Sequence, residues 1–214
     1  MAAGTHDIGA ARLDAFVDAA FAFALTLLVI GSSRAPESYA ELIDAVRDVP
    51  AFMIGFALVG MFWHGHVRWR RHGGVGGSLA SVFLSFALVF LVLVYVYPLR
   101  LMAVSLVEYL AGTPAIIATR EQLAGLFAIY GLGFAAMATT MLLLFVDGRR
   151  RAPDASREAM TVEIHIWGML IAAGLVSTVV TRIPAIAAYA GFAYAPLGLV
   201  IPLYAMWSAR RAER

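Results

Sequence analysis

Apolar residues run in long blocks, separated by short joints rich in Arg, Gly or acidic residues. A helix needs roughly 20 mostly apolar residues to cross a hydrocarbon layer about 30 Å thick. Six blocks meet that length, at 13–31, 50–69, 78–102, 123–146, 162–182 and 186–207. The first is too long in its apolar part for a cleavable signal, and Asp18 interrupts it. Pro98, Gly131, Gly133, Pro196 and Pro202 fall inside blocks, which membrane helices tolerate better than water-soluble ones. Gly73, Gly74, Gly76 and Gly77 make one joint a flexible turn, and Pro153 marks another within 149–156. Segment 32–48 carries Glu37, Glu41, Asp44 and Asp48, with Leu42, Val46 and Val49 at helical spacing. It predicts a short amphipathic helix outside the membrane. Its acidic face suits either a plain solvated surface or one that concentrates cations at a pore mouth. With no internal repeat and no polar block large enough for a soluble domain, residues 1–214 read as one membrane domain.

Composition agrees with this pattern. Hydrophobic residues make up 62% of the chain and charged residues 14%, against about 45–50% and about 25% in soluble domains; the mean hydropathy is +0.82. All 16 cationic side chains are Arg and the net charge is only +2. The Arg residues sit in short clusters and form no continuous basic face, which argues against nucleic-acid binding. The absence of Cys excludes disulfides, thiolate metal sites and thiol catalysis.

Arg placement orients the blocks. Arg12, Arg68, Arg70, Arg71, Arg149, Arg150, Arg151, Arg157, Arg210, Arg211 and Arg214 fall on one side when sides alternate; Arg34, Arg47, Arg100, Arg120 and Arg182 fall on the other. The positive-inside rule makes the richer side cytoplasmic and places both termini there. The expected setting is the inner membrane, crossed six times.

Ionisable groups inside a span are costly and need partners. The first block offers Arg12, Asp14 and Asp18; the second His64, His66 and Arg68, beside Trp63 and Trp69; the fifth Glu163 and His165. His64 and His66 are two apart, about 200° around a helix, which is poor geometry for joint metal ligation. Glu163 and His165 share that fault. Mutual satisfaction of Asp18 and the second-block His or Arg between helices is the structural alternative. On a helical projection Phe16, Ala19, Ala20, Phe23, Thr26, Leu27 and Ile30 lie within about 60° of Phe23, whereas Asp18 lies about 140° away. Periodicity alone leaves this stripe open between a packing face and a pore face.

The wording of the first block adds a resemblance. Arg12, Phe16, Asp18 and Thr26, Leu27, Leu28 and Val29 stand in register with the first-helix signature of the transmembrane protein 175 family. That family contains the endosomal and lysosomal potassium channels and their prokaryotic relatives. Phe62-Trp63-His64-Gly65-His66-Val67-Arg68 is similar to its Trp-x-x-His-His-Arg run, with different spacing, and the stretch ending Tyr95-Val96-Tyr97-Pro98 to the end of its third helix. The resemblance implies an all-α integral membrane protein with six transmembrane helices per subunit, forming a homotetramer whose first helices line a central pore. The family lacks the carbonyl filter of ordinary potassium channels, as does this chain; rings of bulky apolar residues take its place. Carried over by position, the narrowest ring falls on Phe23, with Thr26, Leu27 and Ile30 as further rings. Arg12, Phe16, Asp18, Trp63, His64 and His66 fall on the network that holds the inner helix. Val17 stands where the motif has Ser, and Phe23 where Ile or Leu is usual.

The implied function is passive conduction of potassium and other monovalent cations through a hydrophobic constriction, without cofactor, metal or enzymatic chemistry. The alternative is a proton channel or proton-coupled transporter that uses Asp18, Glu163 and the His residues as relays. A membrane enzyme or haem protein finds no nucleophile and base pattern here.

Overall fold

The computed structural model describes residues 3–30, 37–73, 78–112, 117 and 119–212. These are almost wholly helical: α1 (Ala3–Ile30), α2 (Tyr39–Arg47), α3 (Val49–Arg71), α4 (Leu79–Ala111), α5 (Arg120–Arg151), α6 (Asp154–Val180), a 3-10 helix (Ala187–Tyr194) and α7 (Leu197–Ala212). Local chemistry sets several boundaries. Ser38 caps α2, its hydroxyl accepting from the Glu41 amide, and Thr119 and Gln122 form a reciprocal capping box at the start of α5. Arg68, Arg70 and Arg71 fill the last turn of α3, and Arg149, Arg150 and Arg151 that of α5, where cations complement the helix dipole. Gly112, at φ +66°, supplies the left-handed residue just past α4.

α4 sits between the other helices, packing on α1, α3 and α5; α5 packs along α6, and α6 carries the 3-10 helix and α7 on its outer side. The shared core takes Val17, Phe21, Ala24 and Leu28 from α1, Phe62 and Trp69 from α3, Leu88, Val92 and Val96 from α4, Met141 and Phe145 from α5, and Trp167 from α6. Small residues let α5 and α6 touch through their backbones. A Cβ on Gly131 would lie 2.7 Å from the Gly174 carbonyl oxygen, and one on Gly174 would lie 2.8 Å from that of Gly131. Such close approach replaces the hydrophobic drive that lipid removes.

Among the described residues, five helical stretches are long and apolar enough to cross a membrane: Val49–Arg71, Leu79–Glu108, Arg120–Arg151, Asp154–Val180 and Ala187–Arg211. They correspond to five of the six predicted blocks; the remaining block, 13–31, lies on α1, and its Ile30 side chain and residue 31 fall outside the described residues. Within α1, Arg12, Asp14 and Asp18 precede an uncharged stretch from Ala19 to Ile30, about 18 Å of helix. The block at 186–207 is long and apolar enough to cross, as expected, but is not one continuous α-helix. It is a 3-10 helix followed by a 16-residue α-helix, because Pro196 cannot donate to a continuous ladder. α4 instead outruns its predicted end at 102 and continues through Pro98 to Ala111. The external helix at 32–48 is realised as α2; residues 32–36 and the turn residues Gly74, Gly76 and Gly77 lie outside the described residues.

Candidate functional site

α1 divides cleanly into two faces. Val17, Phe21, Ala24 and Leu28 follow helical spacing and are buried, with Val17 and Ala24 at 0% exposure. The opposite face carries Phe16, Ala19, Phe23 and Thr26, all exposed, and Phe23 stands 57% open. The Thr26 hydroxyl donates to the Ala22 carbonyl at 2.9 Å, so its oxygen keeps accepting capacity toward the open side. Leu27, expected on the same stripe, lies at its margin, partly buried against the core. The side chain of Ile30 lies outside the described residues.

The flanks of this face are tied to the bundle by polar and aromatic contacts. Asp18 accepts a hydrogen bond from the Trp63 indole of α3 at 2.8 Å. Asp14 pairs with Arg70 at 2.7 Å, a second link between α1 and α3. On the other flank Phe16 packs on Phe86 of α4, with ring centroids 5.0 Å apart. α1 therefore seats over the groove between α3 and α4, its open face bordered by exposed Trp63 on one side and Phe86 on the other. α4 continues that border as an exposed apolar stripe of Phe83, Phe86, Phe90, Val94 and Tyr97.

The remaining network residues are distributed differently from the expected cluster. His66 is buried, but its Nε2 meets the Ser85 hydroxyl of α4 at 3.2 Å, and its ring lies against Trp69; its hydrogen bond thus joins α3 to α4 and goes to neither Asp18 nor Arg12. His64 and Arg12 are exposed, and neither is hydrogen-bonded to Asp18 among the described residues. Two ion pairs escaped sequence reasoning. Arg68 pairs with buried Glu163, joining α3 to α6. Asp147 at the end of α5 accepts from Ser78 at 3.1 Å and Ser81 at 2.9 Å of the α4 start, and pairs with Arg151. Glu163, Arg68 and Asp147 are conspicuous in an apolar chain, but nothing in their spacing names partners on other helices. His165 is hydrogen-bonded to the Tyr204 hydroxyl of α7. Among the described residues no three His, Asp or Glu side chains converge as a metal site.

Residues 12–98 match the family model described as endosomal/lysosomal potassium channel TMEM175. Over 143 residues the chain is 36% identical to a potassium channel from Marivirga tractuosa, an alignment covering 63% of this chain and 57% of that relative. A solved structure of a variant of the potassium channel MtTMEM175 aligns over 95% of this chain and 94% of its own, with a TM-score of 0.80 and 25% identity. In sequence over residues 12–98, and in fold over most of its length, the chain is similar to TMEM175 potassium channels. The family match covers α1 from Arg12 onward, the described part of its connection through α2, α3, and α4 as far as Pro98. Those are the elements that build the open face and its borders. The structural match reaches further and includes the α5 and α6 pair and the broken final block. The chain spans 57% of the Marivirga relative's length.

Proposed function

We propose that this protein is a member of the TMEM175 family and a potassium-permeable cation channel of the inner membrane, a single channel domain with both termini cytoplasmic. Four copies would assemble with α1 at the axis, and α1 would complete the sixth crossing within that assembly. The observation that carries this reading is the division of α1. A helix carrying Arg12, Asp14 and Asp18 suits a lipid-facing position poorly, yet its bulky face of Phe16 and Phe23 is left uncovered by its own subunit. Assembly around an axis covers that face with copies of itself. The names of the relatives, both potassium channels, support the choice of ion.

In this arrangement Phe23 forms the narrowest ring, with Thr26 next to it and Leu27 and Ile30 toward the outer end. A ring of aromatic side chains excludes water at low cost to itself, so a dehydrated cation meets its main barrier there, and the ring faces offer it partial compensation. Proton relay is the weaker reading. Asp18, Glu163 and His66 are each committed to a partner, Trp63, Arg68 and Ser85 in turn, and they lie on different interfaces.

Purified protein in liposomes tests the proposal through potassium flux. Phe23→Ala widens the constriction and is expected to raise flux by on the order of tenfold, equivalent to about 1.4 kcal/mol of barrier. Wild-type and Phe23→Ala vesicles that are equally silent, with the protein assembled, would overturn it.

A further inference from the structure

The end of α7 carries a feature that conduction does not use. α7 packs on the outer side of α6, and Leu199, Leu203, Met206 and Trp207 of this helix are exposed. At its Arg-bearing end the guanidinium of Arg211 lies 3.9 Å over the Trp207 ring. Trp207 in turn packs on Tyr204, ring centroids 5.9 Å apart, and Tyr204 is held by its hydrogen bond to His165 of α6. Arg210 is exposed beside this stack.

We propose that this end of α7 binds the headgroup of an acidic phospholipid, with Arg210 and Arg211 on the phosphate and the Tyr204 and Trp207 rings at the glycerol level. A guanidinium stacked face-on against indole keeps its in-plane N–H donors free, in the fork geometry that matches phosphate oxygens. Among the described residues no carboxylate pairs with Arg210 or Arg211. Trp and Tyr favour the layer between headgroups and acyl chains, so the stack holds the guanidinium at headgroup height. His165 acts as a positioning residue, fixing Tyr204 and through it the stack. Charge complementarity alone would suit free phosphate equally well. The exposed Val200 and Leu203, one helical turn before Tyr204 and Trp207 respectively, favour a ligand that brings acyl chains to the same place, which free phosphate lacks. The proposal is independent of whether the protein conducts.

Native mass spectrometry of the full chain tests it, with dioleoylphosphatidylglycerol, dioleoylphosphatidylcholine and inorganic phosphate as separate probes. The acidic lipid is expected to be retained over the zwitterionic one, and the Arg210→Gln, Arg211→Gln double variant is expected to lose about tenfold or more of that retention. Trp207→Ala should lose part of it and Trp207→Phe should keep most. A control pair at the end of α5, Arg149→Gln with Arg150→Gln, should leave it unchanged. If the double variant fails to fold, Arg211→Gln alone carries the test. Equal retention of both lipids, equal loss in the α5 control, or phosphate binding as well as the lipid would each overturn the proposal.

Discussion

Single side chains in this protein do two separable jobs, and their polarity shows which. Trp63 and Asp18 meet on the flank of α1 at 2.8 Å, a hydrogen bond to a charged acceptor, worth about 1.5–3 kcal/mol. Trp63→Phe keeps most of the ring and removes the donor. It is expected to lower the thermal midpoint of the detergent-solubilised protein while leaving its helix content intact. Asp18→Asn should weaken assembly in the same direction, and full assembly with abolished transport would instead favour a proton relay. Arg68 and Glu163 are coupled more tightly, because the carboxylate is buried and the guanidinium half-exposed. Arg68→Ala is expected to cost about 2–3 kcal/mol, below the fully buried range because water reaches the cation. Adding Glu163→Gln to it should recover much of the loss, which a thermal unfolding series of both single variants and the double variant measures.

Helices are held together here by shape as much as by apolar area. The backbones of α5 and α6 meet at Gly131 and Gly174, where even a methyl group would fall 2.7–2.8 Å from a carbonyl oxygen. Gly131→Ala is therefore expected to destabilise the pair by about 1–3 kcal/mol through overpacking, and Gly131→Leu to prevent stable folding, both seen as reduced recovery of monodisperse protein. At this scale most of the fold was legible in the sequence. Block lengths located α3, α5 and α6, and the spacing of Leu42, Val46 and Val49 anticipated α2. One element differs in its make-up because block length ignores local chemistry. Pro196 divides the last block into a 3-10 helix and α7. The candidate site was legible in part. Helical periodicity separated Phe23 from Asp18, since both sit on one regular helix. The partners of Glu163, Asp147 and His66 were not legible, because they depend on which helices pack together and at what height. Neither quantity is written in local spacing.

At the scale of the whole molecule the uncovered surface is unevenly placed. α5 and α6 bury their long contact against each other, while α1 seats over the groove between α3 and α4 with its Phe16 and Phe23 face open. In the proposed assembly such a subunit would be completed by its own copies, and the low charge of the chain would then serve conduction as well as solubility in lipid. The natural chain contains no Cys, so substituted cysteines can be read without background. Potassium current should be measured across α1 while a small water-soluble thiol reagent is applied. Cys at positions 19, 23 and 26 is expected to react and block the current, and Cys at 17, 21, 24 and 28 to remain silent. Block from the second set with silence from the first would contradict a pore lined by the open face of α1.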